Sequence, residues 1–145
     1  MRILQITPQM PYPPDSGGRV GILNSIVYLS RIHDITLLSF CTHETERYSD
    51  DLKTYCRDVI AVRHPSGGSY WAMAANLFSP MPYTIARFRS VEMMSRVKQL
   101  VESGAFDVVH VDHLHMAQYI HGVPNEIPTV LREHNVESVI MRRFS

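Results

Sequence analysis

A six-residue apolar run, Arg2 to Thr7, passes through a proline-rich loop into Gly17-Gly18, and an amphipathic helix begins at once with Arg19. This strand, loop and helix unit constrains the fold more than any other feature. A strand that leads straight into a helix must bury both against a shared layer, and repetition of the unit gives a parallel sheet. Two adjacent glycines at the helix start also expose bare backbone N–H groups at the positive end of the helix dipole, which suits an anion such as a phosphate.

The unit does repeat. Strands are expected at Arg2–Thr7, Asp34–Phe40, Asp58–Val62, Phe106–Asp112 and Thr129–Arg132. Helices are expected at Arg19–Ile32, Glu44–Cys56, Ser90–Ser103 and Leu114–His121. Ile22, Leu23, Ile26, Val27 and Ser30 recur at helical spacing, as do Val91, Met94, Val97, Leu100 and Val101. Ser90 reads as an N-cap and Gly104 as a stop. The strands are near-continuous apolar runs, as strands covered on both faces should be. The expected fold is α/β, a Rossmann-like parallel sheet with helices on both faces, in one domain of 145 residues.

Composition removes several function classes. Fourteen basic and 14 acidic residues give zero formal net charge, against a general nucleic-acid binder. No apolar run reaches the length of a membrane span, and the N-terminus lacks a signal-peptide pattern. Cys41 and Cys56 have no metal-ligand spacing. A cytoplasmic protein is expected. The final stretch, EHNVESVIMRRFS, reads as a helix only just begun, which suggests a fragment cut near a domain boundary.

In open α/β sheets, ligands gather at the carboxyl ends of strands. Those ends hold Thr7 to Gly18, Cys41 to His43, Asp112 with His113 and His115, and Arg132-Glu133-His134-Asn135. Gly17-Gly18 is either a phosphate seat or a turn that lets the helix pack close to the sheet. It matches neither GxGxxG nor GxxxxGK[ST]. His110, in mid-strand, suits a buried neutral imidazole. His115 is either a ligand group or an exposed first-turn residue, and Asn135 is either a cleft residue or a helix cap. A metal site built from His110, Asp112, His113, His115 and His134 would need ligands from both strand faces to converge. The segment around Pro80 and Pro82, with Trp71, Leu77, Phe78, Met81, Tyr83, Arg87 and Arg89, reads as a packed loop. Equally, it reads as a flap or acceptor groove in peripheral contact with a membrane surface.

Three stretches, MRILQITPQMPYPPDSGGR, FDVVHVDHLHMAQY and PTVLREHNVES, together resemble the N-terminal domain of retaining GT-B glycosyltransferases of family four. This group includes bacterial exopolysaccharide and lipopolysaccharide sugar transferases. The resemblance implies an acceptor-side, N-terminal half of a GT-B fold. A C-terminal domain of the same protein, absent from these 145 residues, would hold most of the nucleoside-diphosphate sugar. It implies metal-independent transfer to a carbohydrate or lipid-linked acceptor with retention of configuration, and no cofactor beyond the nucleotide-sugar donor. Asp112 and His113 would be the catalytic positions. Gly17, Gly18, Arg19, His115, Glu133, His134 and Asn135 would bind substrate. The 145-residue chain alone would then be inactive. Two other readings remain: a stand-alone nucleotide- or phosphate-binding domain without catalysis, and a metal-dependent hydrolase.

Overall fold

The computed structural model describes residues 1–64, 83–103 and 106–133. Five parallel strands form one sheet in the order β3-β2-β1-β4-β5. They are β1 (Arg2–Thr7), β2 (Asp34–Cys41), β3 (Asp58–Arg63), β4 (Val108–Asp112) and β5 (Thr129–Arg132). The helices are α1 (Gly17–Leu29), α2 (Ser49–Leu52), α3 (Tyr83–Ala86) and α4 (Val91–Glu102), with 3-10 segments at Glu46–Tyr48 and Leu114–Gly122. Strand order reverses between β1 and β4, so the loops leaving these two strands diverge and open a crevice at their carboxyl ends. This is the expected Rossmann-like α/β arrangement.

Period-two alternation gives the sheet two buried faces. Leu4, Ile6, Leu38, Phe40, Val109 and Val111 point to one side, where they meet Met93, Val97 and Val101 of α4 and Met116 and Tyr119 of the 3-10 segment. Ile35, Leu37 and Cys41 point to the other, against Ile22 and Ile26 of α1 and Leu52 and Cys56. Ile22 and Ile26, four residues apart and fully enclosed, each contribute about 1.5–3 kcal/mol of apolar burial.

On the α1 side of the sheet, alongside Ile35, Leu37 and Cys41, the strands bury a row of polar groups: Gln5, Thr7, Ser39, His110 and Asp112. Thr7 Oγ1 donates to Ser39 Oγ at 2.9 Å, across paired positions of β1 and β2. Gln5 pairs in register with His110, and its Nε2 reaches Asp112 Oδ2 at 3.5 Å.

Several expected elements change. The first helix starts at Gly17 and ends at Leu29, because Ser16 takes the extended conformation of an N-cap (φ −141°, ψ 155°). The glycines therefore form the first helical turn instead of preceding it. The long polar helix expected over Glu44–Cys56 is instead one 3-10 turn and the four-residue α2. Only Leu52 and Cys56 anchor that stretch in the core. Leu114–Gly122 winds as a 3-10 helix, and β4 begins at Val108, later than the expected Phe106. Val91 is 87% exposed and leaves the expected stripe, which runs instead through Met93, Val97 and Val101. Hydrogen bonds hold the start of this helix. Ser90 Oγ accepts from Met93 N–H at 3.2 Å, and the Ser90 N–H donates to Tyr119 Oη at 2.9 Å. Tyr119 Oη in turn donates to the Phe88 carbonyl. Most of the proline-broken segment, with Trp71 to Met81, and the terminal stretch from His134 lie outside the described residues.

Candidate functional site

Asp112 closes β4 with no solvent exposure. Its register partner on β5 is Arg132, so the two side chains share a face of the sheet. Arg132 Nε donates to Asp112 Oδ1 at 3.2 Å, and its Nη2 lies 3.1 Å from Oδ2. The remaining arm of the guanidinium, Nη1, donates to the Gly21 carbonyl of α1 at 3.2 Å. One side chain thus ties together the ends of β4 and β5 and the first helix. His113 Nδ1 lies 3.2 Å from Asp112 Oδ1. Burial pushes the Asp112 carboxyl up, but the hydrogen bond from His113 and the charge and hydrogen bonds of Arg132 outweigh it. They hold it below the usual carboxylate range. Asp112 is therefore an enclosed, ionised anchor that positions Arg132 and His113.

His113 is where the chain leaves the sheet. Its φ of 73° makes it the one non-glycine residue with positive φ among the described residues. A bulky residue in that region is uncommon and strained, and such strain gathers at functional sites. Its N–H donates to the Arg132 carbonyl at 2.8 Å, which fixes the turn. The ring of His115 lies 5.4 Å from that of His113 and stacks on Phe88 at 4.1 Å. Burial first, then the charges of His113, Arg87 and His64, pushes the His115 imidazole down to about 4. It is neutral at physiological pH, and its Nε2 is buried with no hydrogen-bond partner among the described residues. His110 is buried beside Asp112. Desolvation lowers it too, against the pull of that carboxylate, as a neutral mid-strand imidazole should be.

The glycine pair sits at the amino end of α1. Among the described residues nothing stands within 4 Å of a Cβ built on Gly17, and a Cβ on Gly18 would meet only the tip of the Gln9 side chain, at 3.0 Å. Close packing on the sheet therefore gives no reason for Gly17. The Ser16 side chain makes no cap hydrogen bond, so it does not occupy the first-turn N–H groups. Arg19 holds Asp15 through both carboxylate oxygens at 2.8 Å.

A second concavity of about 580 Å³ opens beside this crevice, at the carboxyl ends of β1, β2 and β3. Arg19, His43, Arg63, His64, Arg87 and Phe88 line it, and no Asp or Glu is among its described lining residues. Arg63 and His64 stand at the end of β3, a strand end outside the four from which ligand groups are expected. The strand-end rule applied there would have found both.

The expected site residues thus divide. Asp112, His113 and His115 form one contiguous group with Arg132. Gly17 and Gly18 are linked to it through Gly21 and Arg132, and Arg19 lines the neighbouring cavity. Glu133 follows β5 and is exposed. His134 and Asn135 lie outside the described residues. Among the described residues, no group of three or more His, Cys, Asp or Glu is placed to hold a metal ion. No described helix is long and apolar enough to cross a membrane.

No protein-family model matches the chain, and no curated protein matches it. Two solved structures of the C-terminal domain of PF1911 hydrogenase from Pyrococcus furiosus are similar in fold. One has a TM-score of 0.56 at 16% identity, covering 90% of each chain. The other has a TM-score of 0.52 at 15% identity, covering 92% of this chain and 91% of that one. At such identity the likeness concerns the α/β fold alone.

Proposed function

We propose that this chain is the acceptor-side half of a retaining GT-B glycosyltransferase. It would move a sugar from a nucleoside-diphosphate sugar to an acceptor hydroxyl in cell-surface polysaccharide or glycolipid synthesis, at the cytoplasmic side of the membrane. The observation that carries this reading is the Arg132 bridge. The three sequence stretches behind the family resemblance are far apart in the chain. Arg132, from the third, grips Asp112, from the second, and reaches the helix that opens with the glycines of the first.

In that role the anomeric carbon exchanges its bond to the diphosphate oxygen for one to the acceptor oxygen. The acceptor's proton leaves with the diphosphate. Bare N–H groups at Gly17 and Gly18 face the charge that grows on the leaving group, as preorganised donors. His113, held by Asp112, takes the position beside the sugar. His115, neutral at physiological pH, is suited to hydrogen bonding and not to donating a proton from its charged form. Asp112 acts through its neighbours, a change from the direct catalytic role that the resemblance implies. The donor-binding wall would come from a second domain of the same protein.

The test is nucleotide release from a panel of nucleoside-diphosphate sugars by the natural gene product, compared with the 145-residue chain. Turnover is expected from the former alone. Sugar transfer by the 145-residue chain by itself would overturn the half-site reading.

A further inference from the structure

The cavity at the ends of β1, β2 and β3 lies to one side of the crevice in which the transfer chemistry is proposed, and that chemistry does not use it. We propose that this cavity binds a phosphate group, and that the molecule carrying it is the acceptor. Only the word acceptor rests on the glycosyltransferase reading; the anion site stands on its own geometry.

Three guanidinium groups, Arg19, Arg63 and Arg87, and two imidazoles, His43 and His64, line one concave wall. The arginine partners lie outside the lining. Arg63 Nη2 meets Glu46 at 3.3 Å in a pair whose side chains are 68% and 46% exposed, which leaves it free to swing at little cost. Arg19 keeps its Nη1 on Asp15, while its Nε is buried with no hydrogen-bond partner among the described residues. The Arg87 guanidinium lies over the Phe88 ring at 4.9 Å and makes no ion pair among the described residues. Positive charge gathered in a concave, partly apolar wall focuses its field on whatever enters. Of the charges that lower His115, which stacks on Phe88, those of Arg87 and His64 come from this wall.

Size and lining limit the ligand. A volume of about 580 Å³ admits one phosphorylated sugar or the head of a lipid diphosphate. Phe40, Phe88 and Met10 supply apolar contact beside the charges. Guanidinium groups bind phosphate through paired N–H donors, which suits an oxyanion better than a neutral polyol. The phosphate has two sources, a soluble sugar phosphate or a lipid-linked diphosphate, and both share this chemistry.

The experiment titrates the chain with glucose, glucose 6-phosphate and farnesyl diphosphate, reading amide shifts and calorimetric affinity. Both phosphorylated probes should shift the amides of Thr42, His43, Arg63 and Arg87, and glucose should not. The tighter probe identifies the source. R63Q/R87Q removes two charge-assisted contacts and should weaken binding roughly 10- to 100-fold. R47Q, an exposed arginine outside the cavity, should change it less than about twofold. Circular dichroism and thermal unfolding check that the double variant folds; if it does not, R87Q alone carries the test. Equal response to glucose and its phosphate, or unchanged affinity in the variant, would overturn the site. Full displacement of the probe by a nucleoside diphosphate would overturn its assignment to the acceptor. Phosphate binding without sugar transfer by the natural gene product would sink the glycosyltransferase reading and leave the anion site standing. Transfer to uncharged acceptors without a phosphate response would do the reverse.

Discussion

Arg132 lies 20 residues beyond Asp112, yet its guanidinium closes on that carboxylate at 3.2 Å while the carboxylate has no contact with solvent. Parallel register makes this possible, since the two residues are paired on neighbouring strands. Removing one partner strands the other. Because the Arg132 side chain is 30% exposed, Arg132→Met should cost about 2–4 kcal/mol, toward the lower end of what broken buried pairs lose. The double variant D112N/R132M should regain about half of that, since no buried charge remains unpaired. Urea unfolding at pH 7 measures both. A stability for R132M within about 0.5 kcal/mol of the parent would show that the pair is not an anchor.

His115 makes stability pH-dependent. Its folded value, about 4, lies below the ordinary 6.5, so the unfolded chain takes up the proton first as pH falls. The stability of the neutral imidazole is therefore full above about 6.5 and is lost progressively down to about 4. His115→Phe keeps the stack on Phe88 and removes the titration. Thermal unfolding should give similar midpoints for variant and parent at about pH 8 and a higher midpoint for the variant at about pH 5. His110 is lowered as well and adds a slope of the same sign in both proteins, so the difference between them is the quantity to read. Asp112 acts at lower pH. Its depressed value means that its contribution holds above the ordinary carboxyl value and disappears as pH drops through the folded one.

Gly17 separates fold from function. A Cβ there meets nothing within 4 Å among the described residues, and the position lies within a helix. Gly17→Ala should therefore leave stability unchanged or raise it by up to about 1 kcal/mol. Gly17→Val should fold, and under the proposed function it should abolish transfer by blocking approach to the first-turn N–H groups. Full activity in a folded Gly17→Val protein would reduce the glycine pair to an incidental helix start.

Tyr119 joins three elements through one oxygen, which accepts from the Ser90 N–H at 2.9 Å and donates to the Phe88 carbonyl. Burial pushes its hydroxyl up to about 12, so it stays protonated across the working range. Tyr119→Phe should cost about 1–3 kcal/mol, because both backbone groups lose a partner in a poorly solvated place. Ser90→Ala, which removes the cap on Met93 N–H, should cost about 1 kcal/mol. Amide exchange at Ser90 and Met93 should accelerate in the respective variants. Unaltered exchange at Ser90 in Tyr119→Phe would show that the tyrosine bond contributes little.

The sheet was legible in the sequence because buried parallel strands are written as short apolar runs, and Asp34 to Phe40 can hardly be read otherwise; the edge strand Thr129 to Arg132 is apolar too, although Val130 and Leu131 are exposed among the described residues. Elements held mainly by local bonds were less legible. Thr42 and Thr45 bond each other's backbone and side chains, and this turn replaces the start of the helix expected from Glu44. Val91 has the right spacing for a buried face, but burial of Met93, Val97 and Val101 turns α4 so that Val91 faces out, and the Tyr119 bond tethers the helix start in that position. At the candidate site, the strand-end rule points to Asp112 and His113 but not to the ion pair that holds Asp112. That pair depends on Arg132, which strand pairing and not proximity in sequence brings beside it. Arg63 and Arg87 come together only in three dimensions.

The left-handed turn at His113 sets two demands of natural selection against each other. A glycine there would relax the backbone by about 1–2 kcal/mol, but it would also take from the buried Asp112 carboxylate the hydrogen bond of the His113 imidazole. One demand favours an unstrained turn, and the other keeps an imidazole beside an enclosed carboxylate. A screen that ranks variants by melting temperature alone weighs only these two terms, and it is blind to the place beside the sugar that the proposed function gives His113.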